Sequence, residues 1–197
     1  MKAELLTYTP LAEVKKVFPD LETDLLLPHL NYTFAIEKVS RACSHQLVRH
    51  RVASFSQQSQ RYITVKRLSE KIVVPPSIGS NEDFDDLIDS ASIAYQKLVE
   101  SGIPKEDARF ILPNATETSL LLTMEGKSLV HFLGLRTCNR AQWEVRALAD
   151  MILEQLRAVE PIIFNRAGPY CYQLGYCPEG RHTCGKMKEV IERYRVE

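Results

Sequence analysis

Arg49-His50-Arg51-Val52-Ala53-Ser54-Phe55-Ser56-Gln57-Gln58-Ser59-Gln60-Arg61-Tyr62 gathers three guanidinium groups, one imidazole, several hydroxyls and three carboxamides into fourteen consecutive residues. Only Val52, Ala53 and Phe55 offer apolar anchors, so the stretch carries too much directional polarity for a core segment. A guanidinium fork matches phosphate or carboxylate oxygens two at a time, and a cluster of forks reads first as an anion site. The interleaved Gln and Ser supply the donors and acceptors needed to read the edge of a polar heterocycle. Two other readings stand beside this one: a solvated basic surface of structural importance only, and a nucleic-acid patch. Surface runs are usually rich in Lys and mixed with Glu, whereas this one is Arg, Gln and Ser beside Val-Ala and Phe, which favours a small-molecule anion site.

Arg49-His50-Arg51, followed after seven residues by Ser59, resembles the signature of the flavin-dependent thymidylate synthases, enzymes that methylate deoxyuridylate with a reduced flavin. The resemblance continues through Phe34-Ala35-Ile36-Glu37, Ser40-Arg41-Ala42-Cys43-Ser44-His45-Gln46, Ala108-Arg109-Phe110-Ile111-Leu112-Pro113, and Leu135-Arg136 with Asn139-Arg140-Ala141-Gln142-Trp143-Glu144. It covers most of the chain from about residue 31 onward.

The resemblance implies reductive methylation of dUMP to dTMP, with FAD as cofactor and NADPH and 5,10-methylenetetrahydrofolate as co-substrates. It implies a homotetramer with sites built at subunit interfaces. Gln46 and Arg49, with Gln57, Gln58, Ser59, Gln60 and Arg61 from a neighbouring subunit, would hold dUMP, and Arg109 would touch it as well. Arg136 aligns with an arginine that contacts the uracil ring and favours its ionisation, a role that suits a fixed cation in a desolvated pocket. Arg49, His50, Arg51, Gln57, Glu125, Lys127 and His131 align with flavin-contacting positions. Ser59, with no base placed beside it by the sequence, reads as a hydrogen-bonding ligand rather than a nucleophile.

Ahead of Asn31 the chain departs from the family, which usually has a longer helical segment and a His-x-Ser/Thr-Pro-x-Glu-His run that helps bind FAD. Only Pro28-His29 resembles the end of that run, with Thr23, Leu25 and Leu27 nearby, so the N-terminal part reads as shortened. Glu125 stands where the family more often has Asn, and Lys127 where it more often has Arg. A second reading follows: a nucleotide-binding homologue that has lost flavin and catalysis.

The bulk properties agree with one α+β domain over residues 1–197, a small mixed or antiparallel sheet packed with long helices. Twenty-five basic and twenty-five acidic side chains cancel, so no global field recruits nucleic acid or a membrane, and any anion site is local. No apolar run approaches the length of a membrane span and no leader is evident. Five cysteines, an odd number, suit a reducing cytoplasm. Cys171, Cys177 and Cys184 are spaced more widely than the tight pairs of a zinc site, so no metal is expected.

Along the chain, Lys2 to Thr9 alternates as a strand and residues 11–30 read as short helical pieces broken at Pro19 and Pro28. Asn31 to Val39 alternates again, with Tyr32, Phe34 and Ile36 on one side. Ser40 is placed to cap a helix reaching about Val48, on whose face Gln46, Arg49 and His50 would fall together. A loop then leads to an extended segment from Tyr62 to Val74. Ser80 with Asp83 would cap a long helix striped by Phe84, Leu87, Ile88, Ala91, Tyr95, Leu98 and Val99, for core or subunit interface, stopped by Gly102. Pro104 opens a short helix delivering Arg109. Thr116 to Met124 reads as a buried strand, and Glu125-Gly126-Lys127-Ser128 opens a helix to Arg136, whose N-terminus could receive an anion. The glycine of a P-loop is missing at Leu121, which excludes an NTPase. Arg140 to Ala158 reads as a second long helix, ended by Pro161.

Overall fold

A computed structural model of the protein describes residues 1–63, 65 and 67–196. In chain order the elements are strand β1 (Lys2–Tyr8), helices α1 (Leu11–Val17) and α2 (Thr23–Leu26), strand β2 (Asn31–Ser40), helix α3 (Arg41–Leu47), and strand β3 (Ala53–Gln57). Then come α4 (Glu82–Glu100), α5 (Lys105–Ala108), β4 (Glu117–Glu125), α6 (Gly126–Arg136), α7 (Trp143–Val159), α8 (Pro161–Phe164), α9 (Tyr170–Leu174) and α10 (Met187–Tyr194). The sheet runs β1-β2-β4-β3 with every neighbouring pair antiparallel.

Register puts one side chain set on one face. Tyr32 lies opposite Met124, Phe34 opposite Leu122 and Ile36 opposite Leu120; all six are buried. Their period of two aims them at α6 and α7, which return Leu129, Phe132 and Leu133, and Val145, Leu148, Ile152 and Leu156, into one core. Each such side chain taken fully from water contributes about 1.5–3 kcal/mol before entropy is charged. The other face carries Thr33, hydrogen-bonded to Thr123 at 2.9 Å, and an exposed Leu121. Between Ile36 and Val39 the β2–β4 register slips, and Lys38 adopts a φ of +56° there. That bulge returns Val39 and Ser40 to the interior.

Ser40 ends β2 and caps α3, its hydroxyl accepting from the Cys43 N–H at 2.9 Å. The buried Glu144 carboxylate of α7 holds this junction, taking the Ser40 N–H at 2.7 Å and its hydroxyl at 2.5 Å. At the other end of α7, Arg157 donates to the carbonyls of Phe164, Ala167 and Tyr194, tying the C-terminal segment to the body.

Several expectations are corrected. Helix α3 stops at Leu47, so Arg49 and His50 lie in the turn beyond it rather than on its face. The stretch after them is not all loop, because Ala53, Phe55 and Gln57 alternate with Ser54 and Ser56 and pair with β4. Residues 68–71 form a turn of 3₁₀ helix where an extended run was expected, while Thr64 and Lys66 lie outside the described residues. Asn81, not Ser80, caps α4 by accepting from the Phe84 N–H at 2.9 Å. Helix α7 starts at Trp143, not Arg140, because the Gln142 side chain accepts from the N–H groups of both Glu144 and Val145. Pro28 sits within a 3₁₀ turn, Leu27–His29, that its fixed φ suits. Only Ile88 and Tyr95 of the α4 stripe are buried, and Leu87 is exposed.

Close packing sets a further limit. A Cβ built on Gly134 of α6 would stand 2.7–2.9 Å from the Tyr170 ring. Gly134→Ala is therefore expected to cost about 1–3 kcal/mol through overpacking. Chemical denaturation of the two proteins would measure it, and equal midpoints would contradict this packing.

Candidate functional site

The helix α6 and the turn after α3 bring three of the expected residues together. Arg136, the last residue of α6, donates from Nε to His50 Nε2 at 2.9 Å and from Nη2 to the Gln46 backbone carbonyl at 3.3 Å. Because His50 Nε2 accepts, the ring's proton belongs on Nδ1. His50 is buried, with Phe132 edge-on at a centroid distance of 5.0 Å and His131 at 6.3 Å. Burial, then the Arg136 charge, then His131 push its pKa down to about 4 from 6.5. Burial likewise lowers Arg136, yet a guanidinium stays charged in any accessible range.

The sign of the His50 shift makes a prediction. The unfolded chain takes up this proton near pH 6.5 and the folded chain only near 4, so stability falls as the pH drops through that window. The loss amounts to about 2–3 kcal/mol. Urea melts at pH 7 and pH 5 should show a steeper acid loss for the native protein than for His50→Gln; parallel losses would contradict a neutral buried imidazole.

Further along α6, Lys127 and His131 are exposed on one face, four residues apart. His131 Nδ1 meets the Tyr170 hydroxyl. Arg49 and Arg51 are exposed on either side of His50, and neither they nor Lys127 forms an ion pair among the described residues. Glu125 behaves differently from a ligand-facing carboxylate. It caps its own helix, accepting from the Lys127 N–H at 2.9 Å and the Ser128 N–H at 2.8 Å. The anion expected at this N-terminus is thus the chain's own, which satisfies donors left free by helix geometry.

Gln58, Ser59 and Gln60 lie elsewhere, lining a cleft of about 400 Å³ with Lys38, Glu117 and Ser119. That volume falls in the range of small-molecule sites, about 300–1,000 Å³. Gln60 Nε2 is buried with no partner among the described residues. A buried donor without an acceptor costs about 1–3 kcal/mol, so a turn of the Gln60 amide toward an acceptor would be favoured. Gln57 turns inward instead, its Nε2 donating to Ser44 Oγ at 3.0 Å and Thr118 Oγ1 at 3.2 Å. Arg61 pairs with Glu106 at 2.7 Å, and Arg109 donates to the Glu106 carbonyl at 3.1 Å.

Arg41, the first residue of α3, is a half-buried cation that the sequence reading did not single out. Burial, then the nearby Arg109 charge, lower its pKa. None of Gln46, Arg49, His50 or Arg136 lines the Gln58–Gln60 cleft. Within one chain, therefore, the expected nucleotide ligands form two groups.

The fold is that of a single-domain α+β protein with a group of cationic side chains around the end of α3 and on α6, beside a four-stranded antiparallel sheet. A model of the thymidylate synthase complementing protein family matches residues 13–162. A flavin-dependent thymidylate synthase of Geobacter sulfurreducens is 51% identical over 174 residues, 86% of this chain and 75% of the relative. One of Nitratidesulfovibrio vulgaris is 47% identical over 81% of this chain and 70% of its own length. The crystal structure of thymidylate synthase X from Helicobacter pylori with FAD and dUMP superposes with a TM-score of 0.69 at 25% identity, covering 83% of this chain and 97% of that one. The chain belongs to the flavin-dependent thymidylate synthase family.

Proposed function

We propose that the protein catalyses the reductive methylation of dUMP to dTMP, using FAD, 5,10-methylenetetrahydrofolate and NADPH. The observation that carries this reading is the Arg136–His50–Gln46 constellation, set among unpaired cations in a chain that is 51% identical to a relative of that name. The donor set fits a flavin dinucleotide. Arg49, Arg51 and Lys127 offer phosphate-matching charge and form no ion pair among the described residues, and the Glu125 carboxylate is already engaged as the cap of its own helix. His50 and His131 stand beside this group, whereas the Gln57 amide is turned inward to Ser44 and Thr118 and would have to reorient to reach a flavin. Bound there, the flavin supplies the reducing equivalent that completes the methyl group.

The chain's own residues bind and orient. Arg136 holds a fixed positive charge at the uracil ring, stabilising the anion that makes the base a carbon nucleophile. Neutral His50 accepts from Arg136 and leaves both guanidinium edges positioned without adding charge. Gln46 and Arg49 clamp the nucleotide, with Gln58, Ser59, Gln60 and Arg61 supplied across a subunit boundary and Arg109 beside them. The division of these ligands into two groups supports a site shared between chains, in a homotetramer. Exposed Leu87 and Ile93 on α4 and Leu121 on the open sheet face supply apolar surface for that assembly.

The visible spectrum of the purified protein with added FAD tests the cofactor assignment. Flavin absorbance that stays with the protein through gel filtration and bleaches with NADPH under anaerobic conditions is expected. Failure to retain flavin at excess FAD, with dUMP still raising the melting temperature, would leave a nucleotide binder without the enzyme.

A further inference from the structure

Four of the five cysteines meet at one place. Cys138 follows the last turn of α6 and Cys171 lies in α9. Cys177 follows Gly175, whose φ of +75° reverses the chain at the end of α9, and Cys184 precedes Gly185 with a φ of +73°. Together they line a cavity of about 20 Å³ beside Tyr170 and Met187. Cys171 is buried, the other three are half-buried, and all four are free thiols. Cys43, the fifth, is buried in the core and does not line this cavity. The Asn139 side-chain amide donates to Cys184 Sγ at 3.9 Å, the kind of N–H···S contact that tempers charge on a thiolate.

We propose that Cys138, Cys171, Cys177 and Cys184 form a four-thiolate site for a single zinc-class divalent ion that pins the C-terminal segment to the end of α6. Four sulfur donors select a soft or borderline ion, and zinc takes them tetrahedrally. A cavity of about 20 Å³ has room for one atom-sized body. The segment from Asn165 to Lys186 has little regular structure of its own, with only the five residues of α9 in α-helix. Such a loop-rich stretch gains most from a cross-link.

The spacings of Cys171, Cys177 and Cys184 argue against zinc only if the ligands must be neighbours in sequence; the fold gathers them and adds Cys138. As they stand, no three or more His, Cys, Asp or Glu among the described residues form a group that could hold an ion. Binding would bring the sulfurs to about 2.3 Å from a common centre. Cys177 and Cys184 lie on non-helical backbone, so bringing the sulfurs together would shift a turn rather than a helix. Each S–H bond breaks as a Zn–S bond forms, the protons leave to solvent, and no oxidation state changes.

The test uses the full-length protein equilibrated with zinc, desalted, and assayed by elemental mass spectrometry. About one ion per chain is expected, falling roughly tenfold or more in Cys177→Ser and Cys184→Ser and unchanged in His182→Ala, an exposed neighbour. Cobalt substitution of the unaltered protein should give sulfur-to-cobalt charge-transfer bands and intense visible bands of a tetrahedral centre, a readout independent of how the variants fold. The proposal is overturned if the unaltered protein holds no ion and shows no such bands, if both Cys variants keep full metal content, or if non-reducing mass spectrometry finds these four cysteines joined as disulfides.

Discussion

Replacing Arg136 with alanine is expected to lower kcat by about 10²- to 10³-fold, the loss found when a preorganised charge stabiliser is removed from a developing anion. The side chain is half-buried at the C-terminus of α6, where the helix dipole favours a cation. It is fixed at two points, His50 Nε2 at 2.9 Å and the Gln46 carbonyl at 3.3 Å. A lysine carries one nitrogen where arginine carries three, so Arg136→Lys cannot keep both contacts and still face a ligand. It should recover only a small part of the lost rate. If Arg136 acts in the transition state, kcat and kcat/KM for dUMP fall together. A variant that raised KM alone would assign Arg136 to ground-state binding and remove it from the chemistry.

Glu144→Ala should be strongly destabilising, by about 2–5 kcal/mol. The carboxylate is buried and takes both the N–H and the hydroxyl of Ser40. Its removal strands two donors at the junction of β2 and α3, each unsatisfied donor costing about 1–3 kcal/mol. For a chain of this size the melting temperature would drop on the order of 10 °C. Ser40→Ala should cost less, about 1 kcal/mol for the cap, and the two changes should be strongly non-additive because they share one network. Additive effects in urea melts would contradict the geometry. Since Ser40 sets the start of α3, and α3 carries Gln46, the same change should also weaken dUMP binding.

The parts of the fold that were legible in the sequence are those governed by local periodicity and capping. Tyr32, Phe34 and Ile36 alternate and are buried together. Ser40 was read as a cap and is one. Glu125 to Arg136 was placed to within a residue, because Gly126 can follow a capping carboxylate and the apolar run leaves no other period. Where competing signals overlapped, the reading failed. In β3 the hydroxyls of Ser54 and Ser56 hid an alternation that pairing with β4 completes. At Ser80-Asn81 two good caps stand side by side, and only tertiary packing of Ile88 and Tyr95 chooses the phase of α4.

For the site, sequence spacing grouped Gln46, Arg49 and His50 on one helix face, whereas the helix ends at Leu47 and the partner that organises them, Arg136, comes 86 residues after His50. No local pattern encodes that meeting. The four-cysteine cluster is a second case, since Cys138 reaches Cys171 only through the packing of α6 on α9. Long-range proximity of polar groups is a property of the sheet and the helices above it, and in both places it was invisible in the chain.

The most direct test of the central claim is anaerobic product formation. Protein carrying FAD, supplied with NADPH, 5,10-methylenetetrahydrofolate and dUMP, should yield dTMP by chromatography, with none formed when FAD, folate or dUMP is omitted and almost none with Arg136→Ala. Retention of FAD and dUMP by a folded protein that forms no dTMP under these conditions would contradict it.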